Sequence, residues 1–353
     1  MPRLPTVVAG AGIGGACAAL ALSRTRPVVV LDAVGPAAGA SGAAAGLVNP
    51  FAGRRAARAW RAGEALAALD RFAEAAGVPV VRSGVLRPAG DAKQATAFAA
   101  SADLSPGEAT WVRPEAAAER WPGIAAPWGA LWVPGGGHVD VAALVRGALA
   151  AAERNGAEMH SGVRLVRWET HLNAVHAITD QEQIDAEALV LCPGDGVSTL
   201  PRLAPLAFGR VRGQTVTLGA ALPAGSPAVA GGVYAVPTAA GVVVGATFEH
   251  TFADLRASPE ASLWLRDRAA RLVPALADAP VVAERVGVRL TVPTSVSPER
   301  LPRLGPLGGD RRVWLFAGFG SRGLLTAPLL AESLPGALAD PSVVSTALKS
   351  GLG

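Results

Sequence analysis

Apolar runs and alternations divide the chain into a succession of short elements. Thr6 to Ala9 reads as a buried strand, Gly15 to Ser23 as an alanine- and leucine-rich helix, and Val28 to Leu31 as a second β-branched run ending at Asp32. That strand–helix–strand opening belongs to a parallel sheet. After a small-residue loop, Gly35 to Gly46, the spacing of Trp60, Leu66, Leu69 and Phe72 predicts one long helix over Ala56–Ala76. Residues 86–135 show no clear period and hold several tryptophans and prolines. A helix is predicted over Val141–Arg154, with strands at Arg164–Trp168 and Ala188–Cys192. Gly213 to Phe248 reads as short antiparallel strands turning at Thr238-Ala239-Ala240-Gly241. A helix over Ala257–Leu276, a strand over Val313–Ala317, a glycine turn and a helix over Leu324–Leu338 close the chain. There is no internal repeat and no low-complexity linker.

Composition narrows the chemistry. The 353 residues carry 32 Lys+Arg against 28 Asp+Glu, and half are hydrophobic, which describes a globular chain and not a disordered one. A surplus of four positive charges on this length permits RNA contact without arguing for it. Lys93 and Lys349 are the only lysines and no Gly-Lys dipeptide exists, which removes a nucleotide-triphosphatase phosphate loop and leaves Schiff-base chemistry no suitable residue. Cys17 and Cys192 are too few for a disulfide framework or a structural zinc site, and both are expected in the core. The five histidines have no ligand spacing, so no metal is expected. The apolar run Val7–Leu22 has Gly10, Gly12, Gly14 and Gly15 at its centre, which argues against a signal-peptide helix. No stretch approaches the roughly 18 apolar residues of a membrane span. A cytoplasmic protein without membrane attachment is the expectation, and the oligomeric state is left open.

Gly10-Ala11-Gly12-Ile13-Gly14-Gly15 fits G-x-G-x-x-G between a predicted strand and a predicted helix. Its glycines allow a tight turn, close approach of a pyrophosphate and helix–strand packing, with the pyrophosphate at the positive end of the helix. Asp32 lies 22 positions after Gly10 (32 − 10), where its carboxylate would accept ribose hydroxyls and repel a ribose phosphate. The fingerprint alone leaves FAD and NAD both open.

Further segments resemble the D-amino acid oxidase superfamily of FAD-dependent amine oxidases. Ala40-Ser41-Gly42-Ala43-Ala44-Ala45-Gly46 is similar to the second flavin-contacting loop, which implies cofactor contacts from Ser41, Gly42, Ala44, Ala45 and Gly46 beside those of Gly10, Gly12, Ile13, Gly14, Gly15 and Asp32. Gly137-His138-Val139-Asp140 resembles the glycine oxidase segment that begins a helix. Ala188 to Gly194 is similar to the strand and turn closing over the nucleotide. Leu301-Pro302-Arg303-Leu304-Gly305-Pro306 and Gly318-Phe319-Gly320-Ser321-Arg322-Gly323-Leu324 resemble the closing flavin motifs, which brings in Gly194, Gly318, Gly320, Ser321, Arg322, Gly323 and Leu324. The resemblance runs from residue 6 to about 335 and is thinnest over 86–135. His138 and the triple alanine look like glycine oxidase. Gly320-Ser321-Arg322-Gly323-Leu324, Ala327-Pro328-Leu329 and Val211-Arg212-Gly213-Gln214 look like the oxidase domain of the bifunctional tRNA wobble-uridine modification enzyme, which carries a methyltransferase domain ahead of it and usually has Asn where this chain has Ala43.

The resemblance implies an α/β fold. A Rossmann-like FAD-binding lobe is built from discontinuous segments, 1–85, 136–203 and 285–353, and a mainly antiparallel substrate lobe comprises 86–135 and 204–284. It also implies oxidation of a carbon–nitrogen bond beside a carboxylate, with hydride transfer to flavin, an imine product and reoxidation by oxygen to hydrogen peroxide. Arg289 in Gly287-Val288-Arg289-Leu290 matches the family arginine that pairs with the substrate carboxylate, a task suited to a fork that stays charged when desolvated. Tyr234, the only tyrosine, matches the family tyrosine beside it, and Arg322 matches a position beside the flavin. The expected substrate is a small-molecule amine or amino acid; the alternatives are a tRNA wobble-uridine side chain and a flavin-binding protein without turnover. His138 is read as a capping or packing residue. Arg54, Arg55, Arg58 and Arg61 cluster near the flavin loop, the last two on the solvated face of the predicted helix. Trp111, Trp121, Trp128 and Trp132 suit either a substrate mouth or a subunit contact.

Overall fold

The computed structural model describes residues 3–349 and 352. Thr6–Ala9, Val28–Asp32 and Ala188–Leu191 form the parallel centre of a six-stranded sheet, extended by Glu158–Ser161 on one side and Asp310–Ala317 on the other. Arg303–Leu307 completes the edge as its antiparallel member. The central strands read as near-continuous apolar runs because both faces are covered. Val8, Val30, Val190, Trp314 and Phe316 meet the helices Ile13–Ser23, Val141–Arg154 and Gly323–Ala331. Val7, Leu31, Leu189 and Leu315 meet an antiparallel meander, Leu165–Thr170, Val175–Thr179 and Gln183–Ala186, and the short helical turns of 194–206.

The second large sheet has eight strands, in the order Val281–Thr291, Gly209–Leu218, Gly241–Gly245, Val233–Thr238, Ala228–Gly231, Val85–Pro88, Ala130–Val133 and Thr110–Val112. All neighbours are antiparallel except Ala228–Gly231 with Val85–Pro88, which run parallel. Helix Pro259–Leu272 covers one face through Leu265 and Ala269, packed on Val216, Val242 and Val244. The fold is α/β, with a discontinuous Rossmann-like region and separate antiparallel sheets.

Four sequence expectations change. The helix predicted from Ala56 starts at Ala62, because Arg61 takes a left-handed conformation (φ 49°) and Ala57–Arg58 pairs with Phe51–Ala52 in a hairpin. Arg58 and Arg61 are therefore not on a helix face. The closing helix breaks into Gly323–Ala331 and Leu334–Ala339, since Pro335 has no N–H to continue the first ladder. Residues 86–135 contain the helices Ala92–Asp103 and Pro114–Arg120; the first buries only Phe98 and Ala102, too few apolar positions to mark a period. Trp121 and Trp132 pack against each other beneath Arg120, Trp111 packs on a buried cluster, and Trp128 is exposed. Among the described residues no helix is long and apolar enough to cross a membrane, and no metal-ligand cluster occurs.

Candidate active site

The fingerprint turn is held by contacts that exclude side chains. A Cβ at Gly10 would stand 2.2 Å from the Cys192 carbonyl, at Gly15 1.6 Å from the Gly10 carbonyl, and at Gly14 2.6 Å from the Phe319 ring. Those three glycines pack the turn, helix and closing segment together. A Cβ at Gly12 would instead stand 3.2 Å from Ser41 Oγ, in the recess between the two loops, so Gly12 keeps that recess open. Ser41 Oγ accepts the Ile13 N–H at 3.0 Å, joining the second loop to the first, and helix Ile13–Ser23 has no side-chain cap of its own. Beyond that of Ile13, its first-turn amides thus remain available to an anion.

Asp32 is positioned otherwise than a simple ribose acceptor. Its Oδ2 accepts the Ala11 N–H at 2.7 Å, and its Oδ1 accepts those of Val34 and Gly35 at 2.9 and 2.8 Å. Three of about four acceptor positions of the carboxylate are used in bracing the turns, leaving one for a ligand.

Gly42 lies against Ala37, whose carbonyl a Cβ would meet at 2.2 Å. Gly46 (φ +75°) leaves no room beside the Val139 carbonyl, and its own carbonyl accepts the Val139 N–H. Ala44 is extended and exposed, whereas Ala45 is buried in the cluster against which Tyr234 packs. Gly194 (φ +52°) opens the turn after Ala188–Leu191. From the other end of the chain, Gly320 N–H donates to Leu290 O at 2.9 Å, and Gly323 sits against the Ile13 side chain. Gly318 (φ +85°) packs on Val292 and Phe208. Ser321 is exposed at the turn and Leu324 packs on the helical core. Arg322 begins helix Gly323–Ala331, and its Nη1 donates to Glu299 O at 3.0 Å, tying the helix start to the preceding loop.

Arg289 and Tyr234 come from different strands of the eight-stranded sheet but share one face. Register places Arg289 opposite Val211, Gly287 opposite Gly213, Thr215 opposite Gly245, and Gly245 opposite Tyr234. Alternation then puts Arg285, Gly287, Arg289, Gly213, Thr215, Gly245 and Tyr234 on that face. It meets the second loop directly: Thr215 Oγ1 donates to Ala43 O at 3.1 Å, and a Cβ at Gly287 would stand 2.7 Å from Ala40 Cα.

Two glycines make the pair geometrically feasible. A Cβ at Gly213 would lie 2.5 Å from Arg289 Nη2 and 3.1 Å from Thr247 O, so the guanidinium crosses the neighbouring strand over a bare backbone. There Nη2 donates to Thr247 O at 2.9 Å, and Arg289 Cζ lies 4.0 Å from the centroid of the Phe248 ring. A Cβ at Gly245 would be 2.6 Å from Tyr234 Oη. Gly245 and Phe248 escaped the sequence reading, and Gly213 was noticed only within its motif. The available signal was glycine inside an apolar strand, which marks close approach of another group. Burial lowers the Arg289 guanidinium from its ordinary value, and it pushes the Tyr234 phenol up to about 12 against the opposing pull of Arg289. Tyr234 therefore stays a protonated donor, and among the described residues its hydroxyl has no hydrogen-bond partner.

The remaining candidates separate from this pair. His138 does not cap its helix: Asp140 does, accepting the Ala143 N–H at 2.9 Å, while His138 pairs backbone to backbone with Leu47. Cys17 and Cys192 are both buried. In the arginine cluster all four side chains are exposed; Arg58 is paired with Glu108, Arg61 with Glu64, and Arg54 stands 4.0 Å from Asp91.

A family model described as FAD dependent oxidoreductase matches residues 6–334. The chain belongs to that family. This oxidoreductase is 35% identical over 339 residues to the tRNA 5-methylaminomethyl-2-thiouridine biosynthesis bifunctional protein MnmC of Maricaulis maris, covering 94% of this chain and 51% of the relative. The chain thus spans about half the length of the curated relatives of this kind that it matches. It is 32% identical to glycine oxidase of Pseudomonas aeruginosa over 51% of the chain and 50% of the relative. Among solved structures, iminodiacetate oxidase from Chelativorans superposes with a TM-score of 0.80 at 25% identity, covering 96% of this chain and 97% of the other. Glycine oxidase from Geobacillus kaustophilus gives 0.85 at 24% identity, covering 100% and 99%, a likeness of fold. The recess kept open by Gly12, the uncapped helix start and the loop that contacts the Arg289 face fit the FAD of this family.

Proposed function

We propose that this oxidoreductase oxidises the C–N bond of a glycine-type amine, one carrying a carboxylate on the carbon next to nitrogen. The observation that carries the reading is the pairing of Arg289, crossing bare Gly213, with an unpartnered Tyr234 hydroxyl on the face that meets the second loop. Residues 10–15, Asp32 and 41–46 would hold the cofactor, with Gly194 and the 318–324 turn, so that 1–85, 136–203 and 285–353 carry FAD and 86–135 with 204–284 carry the substrate. FAD, when bound, supplies the two-electron acceptor. Arg289 grips the carboxylate with its fork and Tyr234 donates a third hydrogen bond, which fixes the substrate carbon.

Among the described residues, the strands of the sheet place no carboxylate on that face. Glu249 and Glu284 project to the opposite side, toward Arg212 and Ser262. The substrate amine must therefore arrive neutral, its proton passing to water, and activity rises with pH until the amine is deprotonated. Flat activity from acid to alkaline pH would contradict this.

One specific observation favours a tRNA-linked amine as a second reading: the bifunctional tRNA-modifying relatives align over 92–94% of the chain, against 51% for the Pseudomonas aeruginosa glycine oxidase. A carboxymethylamino group on a wobble uridine presents the same glycine-like end. The test is anaerobic bleaching of the bound flavin with glycine, sarcosine, D-alanine, D-proline, N-carboxymethyl amines and undermodified tRNA. Bleaching by a free amino acid or N-carboxymethyl amine supports the small-molecule reading. Bleaching by tRNA alone moves the assignment to the second, and a flavin that no carboxylate-bearing amine reduces overturns both.

A further inference from the structure

We infer that Arg212 and Glu249 are positioning residues that set the orientation of Arg289 from the opposite side of the sheet. Arg289 is oriented by the strip Thr247–Glu249, which supplies the Thr247 carbonyl to its Nη2 and the Phe248 ring to its guanidinium plane. Phe248 is 65% exposed, so packing against other side chains contributes little to holding this strip. What holds it is strand Gly209–Leu218. Thr247 N–H donates to Gln214 O at 3.1 Å, and the backbones of Arg212 and Glu249 exchange two hydrogen bonds of 2.9 and 3.0 Å.

The side chains on the far face repeat the fastening. Arg212 is 4% exposed; its Nη1 donates to Glu249 Oε1 at 2.5 Å and its Nη2 to the Arg256 carbonyl. The same Glu249 oxygen accepts from Thr247 Oγ1 at 2.8 Å, and Thr247 Oγ1 in turn accepts the Gln214 N–H at 2.9 Å. Glu249 thus joins the buried cation to the residue whose carbonyl holds Arg289. A charge-assisted pair whose arginine is buried has one favoured geometry, and removing the Glu249 charge leaves the buried Arg212 cation without its partner. The strip then loses its register with Gly213, and Arg289 loses the acceptor that aims it.

This inference rests on the reading of Arg289 as the carboxylate clamp. Its test uses the purified FAD-loaded protein and glycolate, a carboxylate that carries a hydroxyl in place of the amine, titrated by flavin absorbance and by calorimetry. Glu249→Gln and Arg212→Gln are expected to weaken glycolate binding about tenfold, the scale of a misplaced positioning group. Arg212→Lys, which keeps a cation facing Glu249, is expected to recover part of the loss. Thermal unfolding of each variant separates the alternatives: a lowered midpoint with unchanged glycolate affinity means a merely structural pair and overturns the inference. Arg289→Gln is run beside them. If it abolishes glycolate binding while the Glu249 and Arg212 variants bind normally, positioning alone is refuted; if it too binds glycolate normally, the clamp itself is refuted and the inference with it.

Discussion

Replacing Gly213 with Ala adds a single methyl group beneath the Arg289 guanidinium and tests the site at its narrowest contact. The new Cβ would lie 2.5 Å from Nη2 and 3.2 Å from Cζ of Arg289, with Thr247 O at 3.1 Å. Ordinary contact begins at 3.4 Å, so Nη2 must retreat by about 1 Å. The backbone has less freedom to move, because the strand is paired on both sides. The displaced group is the end of a long side chain, and the strand keeps its conformation. Stability should therefore change by no more than about 1 kcal/mol, while a misplacement of about 1 Å at a binding group costs up to about 100-fold. The expected outcome is a 10- to 100-fold weaker glycolate affinity and a correspondingly raised KM, with a nearly unchanged unfolding midpoint. Titration of the flavin absorbance with glycolate, set beside a thermal melt, reads both quantities. Unchanged affinity in a folded Gly213→Ala protein would refute the placement of the carboxylate at Arg289.

Three further outcomes follow from the same geometry. Tyr234→Phe removes a donor to a charged acceptor, about 1.5–3 kcal/mol, so carboxylate affinity should fall at least tenfold in a titration where wild type and variant retain equal FAD; equal affinity would remove Tyr234 from the clamp. Because Tyr234 is the only tyrosine, the phenolate absorbance of the whole protein reports it alone. The folded pKa of about 12 lies above the ordinary value of 10, so the native state holds the proton longer, and Tyr234's contribution to stability is full below pH 10 and is lost as pH rises toward 12; a phenolate midpoint near 10 in native protein would show a solvated ring. Burial raises the thiol pKa of both Cys17 and Cys192, so neither should react with a thiol reagent in native protein and both should react after denaturation; native labelling of either would show that its helix or strand opens.

The parallel half of the fold was legible because buried strands on both faces give unbroken apolar runs, as in Val28–Leu31 and Ala188–Leu191. Helix Val141–Arg154 was read to the residue, since Asp140 marks its start and Leu144, Val145, Ala148 and Leu149 mark its inner face. Periodicity failed where backbone conformation overrode it: nothing in Trp60-Arg61-Ala62 announces the left-handed Arg61 that delays a helix by six residues. The candidate site is legible in its polar members and hidden in its spaces. Arg289 and Tyr234 carry recognisable chemistry, whereas Gly213 and Gly245 act by having no side chain, which only the register between strands reveals. Asp32 ends the second strand, as its sequence position indicates, but its three backbone bonds depend on how two turns close in space.

The contact of Phe319 with Gly14, and of Gly323 with Ile13, has a consequence for how the protein is made. The glycine turn leaves the ribosome well ahead of the aromatic ring that closes over it, which is encoded 305 residues later (319 − 14). At about 5–20 residues per second, the turn waits roughly 15–60 seconds for its cover. Nascent chains released anywhere before the closing strand, Asp310–Ala317, would carry the complete fingerprint and still lack the wall behind it. The wall behind the glycine turn is thereby in place only once the segment from Asp310 to Gly323 has been made.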